Sequence, residues 1–161
     1  MELQLDLERT DPKYAGFWIR FVAFVIDSVV FGIGLAVPFY FLFDNPLVGF
    51  DYSAPVDQQM LVLTAFVQQS VAKGGVYLAI YIFCWMKFLG TPGKLVLNTQ
   101  IVDAKTFAPL SFGQSLIRYL GYFVSIFTCF LGFIWVGIDA KKRGFHDLMA
   151  GSVVIYKPDA R

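Results

Sequence analysis

The sequence predicts an all-α integral membrane protein: a small helical bundle with a small cytoplasmic β-element. Three observations predict it. Apolar stretches at residues 17–43, in the second half of 56–89, and at 116–138 each approach or exceed the ~20 residues that a helix needs to cross a bilayer. The composition is 57% hydrophobic and 18% aromatic with only 16% charged residues, against about 25% charged in soluble domains. A carboxylate, Asp27, is set well inside the first apolar run, where it costs roughly 2.5–3.5 kcal/mol or more unless it meets a cation, a donor or water, or holds a proton.

With 161 residues there is room for one small bundle and little else. The net charge of +1, without a basic cluster interleaved with aromatics, argues against nucleic acid as a partner. Cys84 and Cys129 both fall in apolar runs without CxxC or zinc spacing and read as buried free thiols.

In chain order, residues 1–13 are of mixed charge and lack the basic n-region of a secretory signal, so they read as a cytoplasmic tail. The membrane domain is expected over 14–156. Helix one is expected at about 15–43, with Trp18 and Arg20 at its interfacial start and Pro38 as a candidate kink. The loop 44–57 holds three Asp and no Lys or Arg, which assigns it to the non-cytoplasmic side and the N-terminus to the cytoplasm of a bacterial inner membrane. Helix two is expected at about 58–89. Its glutamine-rich first half either spans or lies along the interface before a turn at Gly74–Gly75. Its end is marked by Trp85 and Lys87.

Residues 90–111 read as a cytoplasmic segment with a strand-like run at 95–102 between turn signals. Ser111 and Gln114 have the spacing of a capping box, starting a third apolar segment at about 112–139. Its flanks carry Lys94, Lys105 and Arg118 on one side and Lys141, Lys142 and Arg143 on the other. Both therefore read as cytoplasmic, so the segment is either one span or a re-entrant hairpin of two short helices turning near 128–132. The hairpin satisfies both flanks. The β-branched run 152–156 is expected to pair with 95–102, and residues 157–161 form a C-terminal tail.

Three motifs, YAGFWIRFVAFVIDSVV, GTPGKLVLNTQIVDAKTFAPLSFGQSLIRYLG and LGFIWVGIDAKKRGFHDLMAGSVVIY, occur in this order over residues 14–156. Together they resemble the RDD family of small, mostly bacterial membrane proteins. The resemblance places the family's arginine on Arg20 and its first aspartate on Asp27. The second falls on Asp139, with Asp147 in the HDLMAG stretch as the alternative. It implies a role in transport.

Arg20 and Asp27 are seven residues apart, so they share a helix face about 10 Å apart. Asp27 reads either as a cation- or proton-carrying group or as a hydrogen-bonded lock between helices. Arg20 is a candidate partner for Asp139 at the inner helix ends, or for a lipid phosphate. Lys73 is the candidate cation for Asp27, about 7 Å above it if Asp27 is level with Leu78, unless it snorkels outward. His146 reads as a surface or capping residue rather than a metal ligand. Gly93–Lys94 lacks the frame of a phosphate loop. No nucleophile pattern is present, so the sequence reads as neither an enzyme nor a cofactor or metal protein. The expected function is that of a transporter or ion-translocating subunit, and the alternative is a non-transporting scaffold or accessory protein binding a partner helix or anionic lipid. Three apolar segments enclose little space, so the expected partners are membrane lipid and a second copy or another membrane protein.

Overall fold

The computed structural model describes residues 12–43, 45–48 and 50–157. The expected tails at 1–13 and 157–161 therefore lie largely outside the described residues, as do two positions of the 44–57 loop.

Helix α1 (Phe17–Leu42) runs uninterrupted past Pro38. Helix α2 (Val56–Phe88) is 33 residues long, about 50 Å, and continues through Gly74–Gly75 without the turn that the glycine pair suggested. Its length exceeds the ~30 Å hydrocarbon core. α1 and the stretch Val56–Val96 are each long and apolar enough to cross a membrane. α1 and α2 meet through aromatic edges, Phe31 on Tyr81 at 5.3 Å and Phe39 on Tyr77 at 5.7 Å between ring centres.

Leu89, in the left-handed region, ends α2. Thr91 and Pro92 then start a single helical turn, α3 (Pro92–Val96), because proline is pre-set for a first helical position. This turn takes Leu95 and Val96 out of the expected strand, and β1 is confined to Thr99–Asp103. β1 pairs antiparallel with β2 (Ser152–Tyr156) in the register Thr99↔Tyr156 to Asp103↔Ser152. The other edge of β2 takes the segment preceding α1, through Ala15 N–H to Val154 C=O and Tyr156 N–H to Lys13 C=O, both 2.9 Å. A two-stranded sheet alone is marginal. Here Ile101 and Val154 pack with Trp85, Leu110 and Ala15 on one face, while Val102, Val153 and Ile155 pack under Tyr14 and Leu89 on the other.

The third apolar segment is a hairpin. Helix α4 (Phe112–Phe127) starts on the expected capping box between Ser111 and Gln114. Cys129 and Phe130 both adopt left-handed backbone (φ 51° and 64°), and α5 (Leu131–Ile134) with the following 3-10 turn (Trp135–Gly137) leaves at 114° to α4. Gly132 returns against Ser125, where a Cβ would come within 2.4 Å of the serine Oγ. Both flanks thus lie at the sheet end of the bundle, where α6 (Phe145–Ala150) packs along α4. Cys84 is buried as expected, but Cys129 is exposed at the hairpin turn.

Candidate functional site

Of the charged residues singled out in the sequence, Arg20, Asp27 and Asp147 gather in two buried knots at the sheet end, with partners that differ from those expected, while Asp139 and Lys73 lie outside both.

The first knot is built on Asp27, 2% exposed. Its Oδ2 accepts from the Thr91 hydroxyl at 2.5 Å and its Oδ1 from the Gly93 N–H at 2.7 Å. These donors belong to the first turn of α3, so a carboxylate of α1 holds that turn against the bundle. The approach requires glycine at position 93: a Cβ there would sit 2.2 Å from the Ala23 carbonyl oxygen. Lys94, also buried, reaches the Thr91 hydroxyl at 3.5 Å. The burial cost of Asp27 is thus met by donors rather than by Lys73. Tyr81 contacts Phe31, one turn past Asp27, so Asp27 lies well below the expected level of Leu78. Lys73 stands eight residues beyond Tyr81, about 12 Å, with its ammonium 5.1 Å from the centre of the Phe43 ring.

The second knot centres on Asp147, which is fully buried. Arg20 donates to its Oδ2 at 2.5 Å, and Arg118 of α4 donates to its Oδ1. The Gly144 N–H adds a bond to Oδ2 at 2.9 Å, and Arg118 also reaches Ser152 Oγ at 2.6 Å. Arg20 spends its other donors on the Ala15 carbonyl at 2.8 Å and on the Lys142 carbonyl. Burial alone raises a carboxyl pKa, but the Arg118 and Arg20 guanidiniums outweigh it, so Asp147 is held well below the usual carboxylate range. Asp139 does not meet Arg20. It forms a local i,i+4 pair with Arg143, bonded at 2.9 Å through both carboxylate oxygens, because the turn after the hairpin brings those two side chains together while α6 presents Asp147 to α1.

His146 is not a surface residue. It is 4% exposed, stacked on Tyr122 at 4.4 Å and near Phe133 at 5.5 Å. Burial, together with the charges of Arg118, Arg20 and Lys94, outweighs Asp147 and lowers its pKa to about 3, so the ring is neutral at physiological pH. Its close seat depends on Gly121, where a Cβ would fall 2.6 Å from the His146 Cα. Among the described residues no three His, Cys, Asp or Glu side chains gather as a metal site.

Arg118, Thr91 and Ser152 carry the two knots and were not among the expected site residues. A signal for Arg118 existed: Ser115, Arg118, Gly121 and Ser125 recur at helical spacing and form the buried face of α4, a small and polar stripe on an otherwise apolar helix. Arg118 is also packed over an aromatic ring, 5.4 Å from the centre of Trp85.

The chain is 28% identical over 151 residues to "Uncharacterized protein YxaI" of Bacillus subtilis (strain 168), covering 90% of this chain and 99% of the relative. It is 28% identical over 167 residues to "Uncharacterized membrane protein YteJ" of the same organism, covering 94% and 93%. It is 24% identical over 174 residues to "Proline-rich antigen" of Mycobacterium leprae (strain TN), covering 91% of this chain and 64% of the relative. No solved structure matches. The RDD family model matches residues 14–151, a range that contains Arg20, Asp27, Asp139 and Asp147, and the chain is a membrane protein belonging to the RDD family.

Proposed function

We propose that this protein is a non-transporting scaffold or accessory subunit of the bacterial cytoplasmic membrane, whose apolar helices hold a partner helix or a second copy. The observation that carries the reading is the state of Asp27. Both its oxygens are occupied by donors of the same chain, so it serves as a lock on α3 rather than as a carboxylate waiting for an ion. Asp147 is occupied in the same way by Arg20 and Arg118. On α1, Val22, Val25, Val29, Ile33 and Val37 recur at helical spacing and are all exposed, a β-branched face suited to lipid or a partner helix. The sheet end, with Lys105, Lys141, Lys142 and Arg143, is assigned to the cytoplasm together with the N-terminus, and the loop 44–57 to the opposite side.

A second reading, an ion-translocating subunit working as an oligomer, is favoured by Lys94. Its buried amine lies 3.5 Å from the Thr91 hydroxyl, one residue past the Gly93 donor that holds Asp27. Flux assays in proteoliposomes separate the two readings. On the scaffold reading no proton or alkali-cation flux exceeds that of empty vesicles, and crosslinking through cysteines placed on the Val22–Val37 face captures a dimer or partner. Flux that Asp27→Asn abolishes in a stably folded protein selects the second reading.

A further inference from the structure

At the end of the bundle opposite the sheet, α1 and α2 part around a cavity of about 430 Å³. This lies within the ~300–1,000 Å³ of ordinary small-molecule sites. Its walls include Phe39, Phe43 and Phe66, and its polar groups include Gln69, Ser70 and Lys73. Two of these polar groups point to a ligand. The Gln69 Oε1 is buried and accepts no hydrogen bond among the described residues, and a buried acceptor left without a donor costs about 1–3 kcal/mol. The Lys73 ammonium lies 5.1 Å from the centre of the Phe43 ring, and no carboxylate pairs with it among the described residues. Ser70 donates to the Phe66 carbonyl at 2.8 Å, so its hydrogen is already used.

An occupant matched to these groups brings an anion for Lys73, a hydroxyl or amine donor for Gln69, and an apolar body for the phenylalanines. Because the cleft lies between helices that cross a membrane, the surrounding bilayer is the source of such a molecule. We propose that the cleft binds one anionic, hydroxylated phospholipid of the phosphatidylglycerol type. Its phosphate lies on Lys73, a glycerol hydroxyl donates to Gln69 Oε1, and the upper acyl chain lies along the aromatic wall. Phosphatidylethanolamine meets the donor requirement but brings its own ammonium close to Lys73, and like charges repel. This site is separate from the knots at the sheet end, and the proposal holds for either reading of the protein's function.

Native mass spectrometry of the full-length, delipidated protein tests it, with titration by phosphatidylglycerol, phosphatidylethanolamine and phosphatidic acid of identical chains, and by soluble glycerol 3-phosphate. The expected result is a preference for phosphatidylglycerol over phosphatidylethanolamine of about ten-fold, lost in Lys73→Ala and kept in Lys73→Arg. Gln69→Leu should weaken phosphatidylglycerol several-fold while leaving phosphatidic acid, which has no glycerol headgroup, unchanged. Lys141→Ala, at the other end of the bundle, should change nothing. Equal binding of phosphatidylglycerol and phosphatidylethanolamine, or undiminished phosphatidylglycerol binding by Lys73→Ala, overturns the proposal. Glycerol 3-phosphate binding as tightly as the lipid overturns it in favour of a soluble phosphate. Should Lys73→Ala fail to fold by circular dichroism, Lys73→Arg and Gln69→Leu decide alone.

Discussion

Arg20 and Asp147, 127 residues apart in the chain, are joined by a 2.5 Å hydrogen bond between a partly buried guanidinium and a fully buried carboxylate. This contact ties the start of the first membrane helix to the helix that follows the hairpin. Asp147 is also the partner of Arg118, so one carboxylate closes α1, α4 and α6 into a single unit. A buried ion pair is a weak source of net stability, but removing one member leaves uncompensated charge.

Asp147→Asn should therefore destabilise the protein by about 3–5 kcal/mol, because the buried Arg118 and the partly buried Arg20 lose their counter-charge. Thermal unfolding in detergent measures it. The double variant Asp147→Asn/Arg118→Met should lose clearly less than the sum of the two single losses. Additive losses would contradict the shared knot.

Asp27 should respond differently to its two natural replacements. In Asp27→Asn the amide oxygen still accepts from the Gly93 N–H and the amide nitrogen can donate to Thr91, so the cost should stay near or below ~1 kcal/mol. Asp27→Leu leaves the Gly93 N–H and the Thr91 hydroxyl buried without an acceptor and should cost about 2–4 kcal/mol. Equal stability of Asp27→Leu and the parent protein would remove the lock from the account.

Stability should fall with acidification below neutral pH in a way that His146 accounts for. Its folded pKa, about 3, is below its unfolded value near 6.5, so the unfolded chain binds the extra proton between these limits and is favoured as the pH drops through that window. The loss should be about 1–2 kcal/mol between pH 6.5 and 5. His146→Phe, which keeps a ring on Tyr122, should flatten that part of the profile. Asp147, with its depressed folded pKa, adds a further loss only below about pH 4. An unchanged slope in His146→Phe would refute the assignment.

Glycines 93 and 121 should not tolerate alanine, since the added Cβ would meet the Ala23 carbonyl at 2.2 Å and the His146 Cα at 2.6 Å. Costs of about 1–3 kcal/mol are expected at each. Gly32→Ala, whose Cβ would meet open space, should be neutral or stabilising by up to ~1 kcal/mol.

Sequence alone determined the elements whose causes are local. Hydrophobic length decided α1 and α2, the Ser111–Gln114 spacing decided the start of α4, and the β-branched run 152–156 decided β2. Basic residues on both flanks also suggested that the third apolar segment does not run straight through, and the chain does bend by 114° within it and packs Gly132 on Ser125. The partners of the charges were decided only by tertiary structure. Helical geometry along one chain segment put Arg20 and Asp27 on a common face, but which donor reached Asp27 depended on Pro92 starting a short turn under Ala23. Which carboxylate reached Arg20 depended on how the hairpin delivered α6 against α4. Asp139 and Asp147 are close in sequence, yet one pairs locally with Arg143 and the other lies fully buried between two arginines. Periodicity determines which face of an element is buried. Pairing across elements is set by the packed geometry of all of them together.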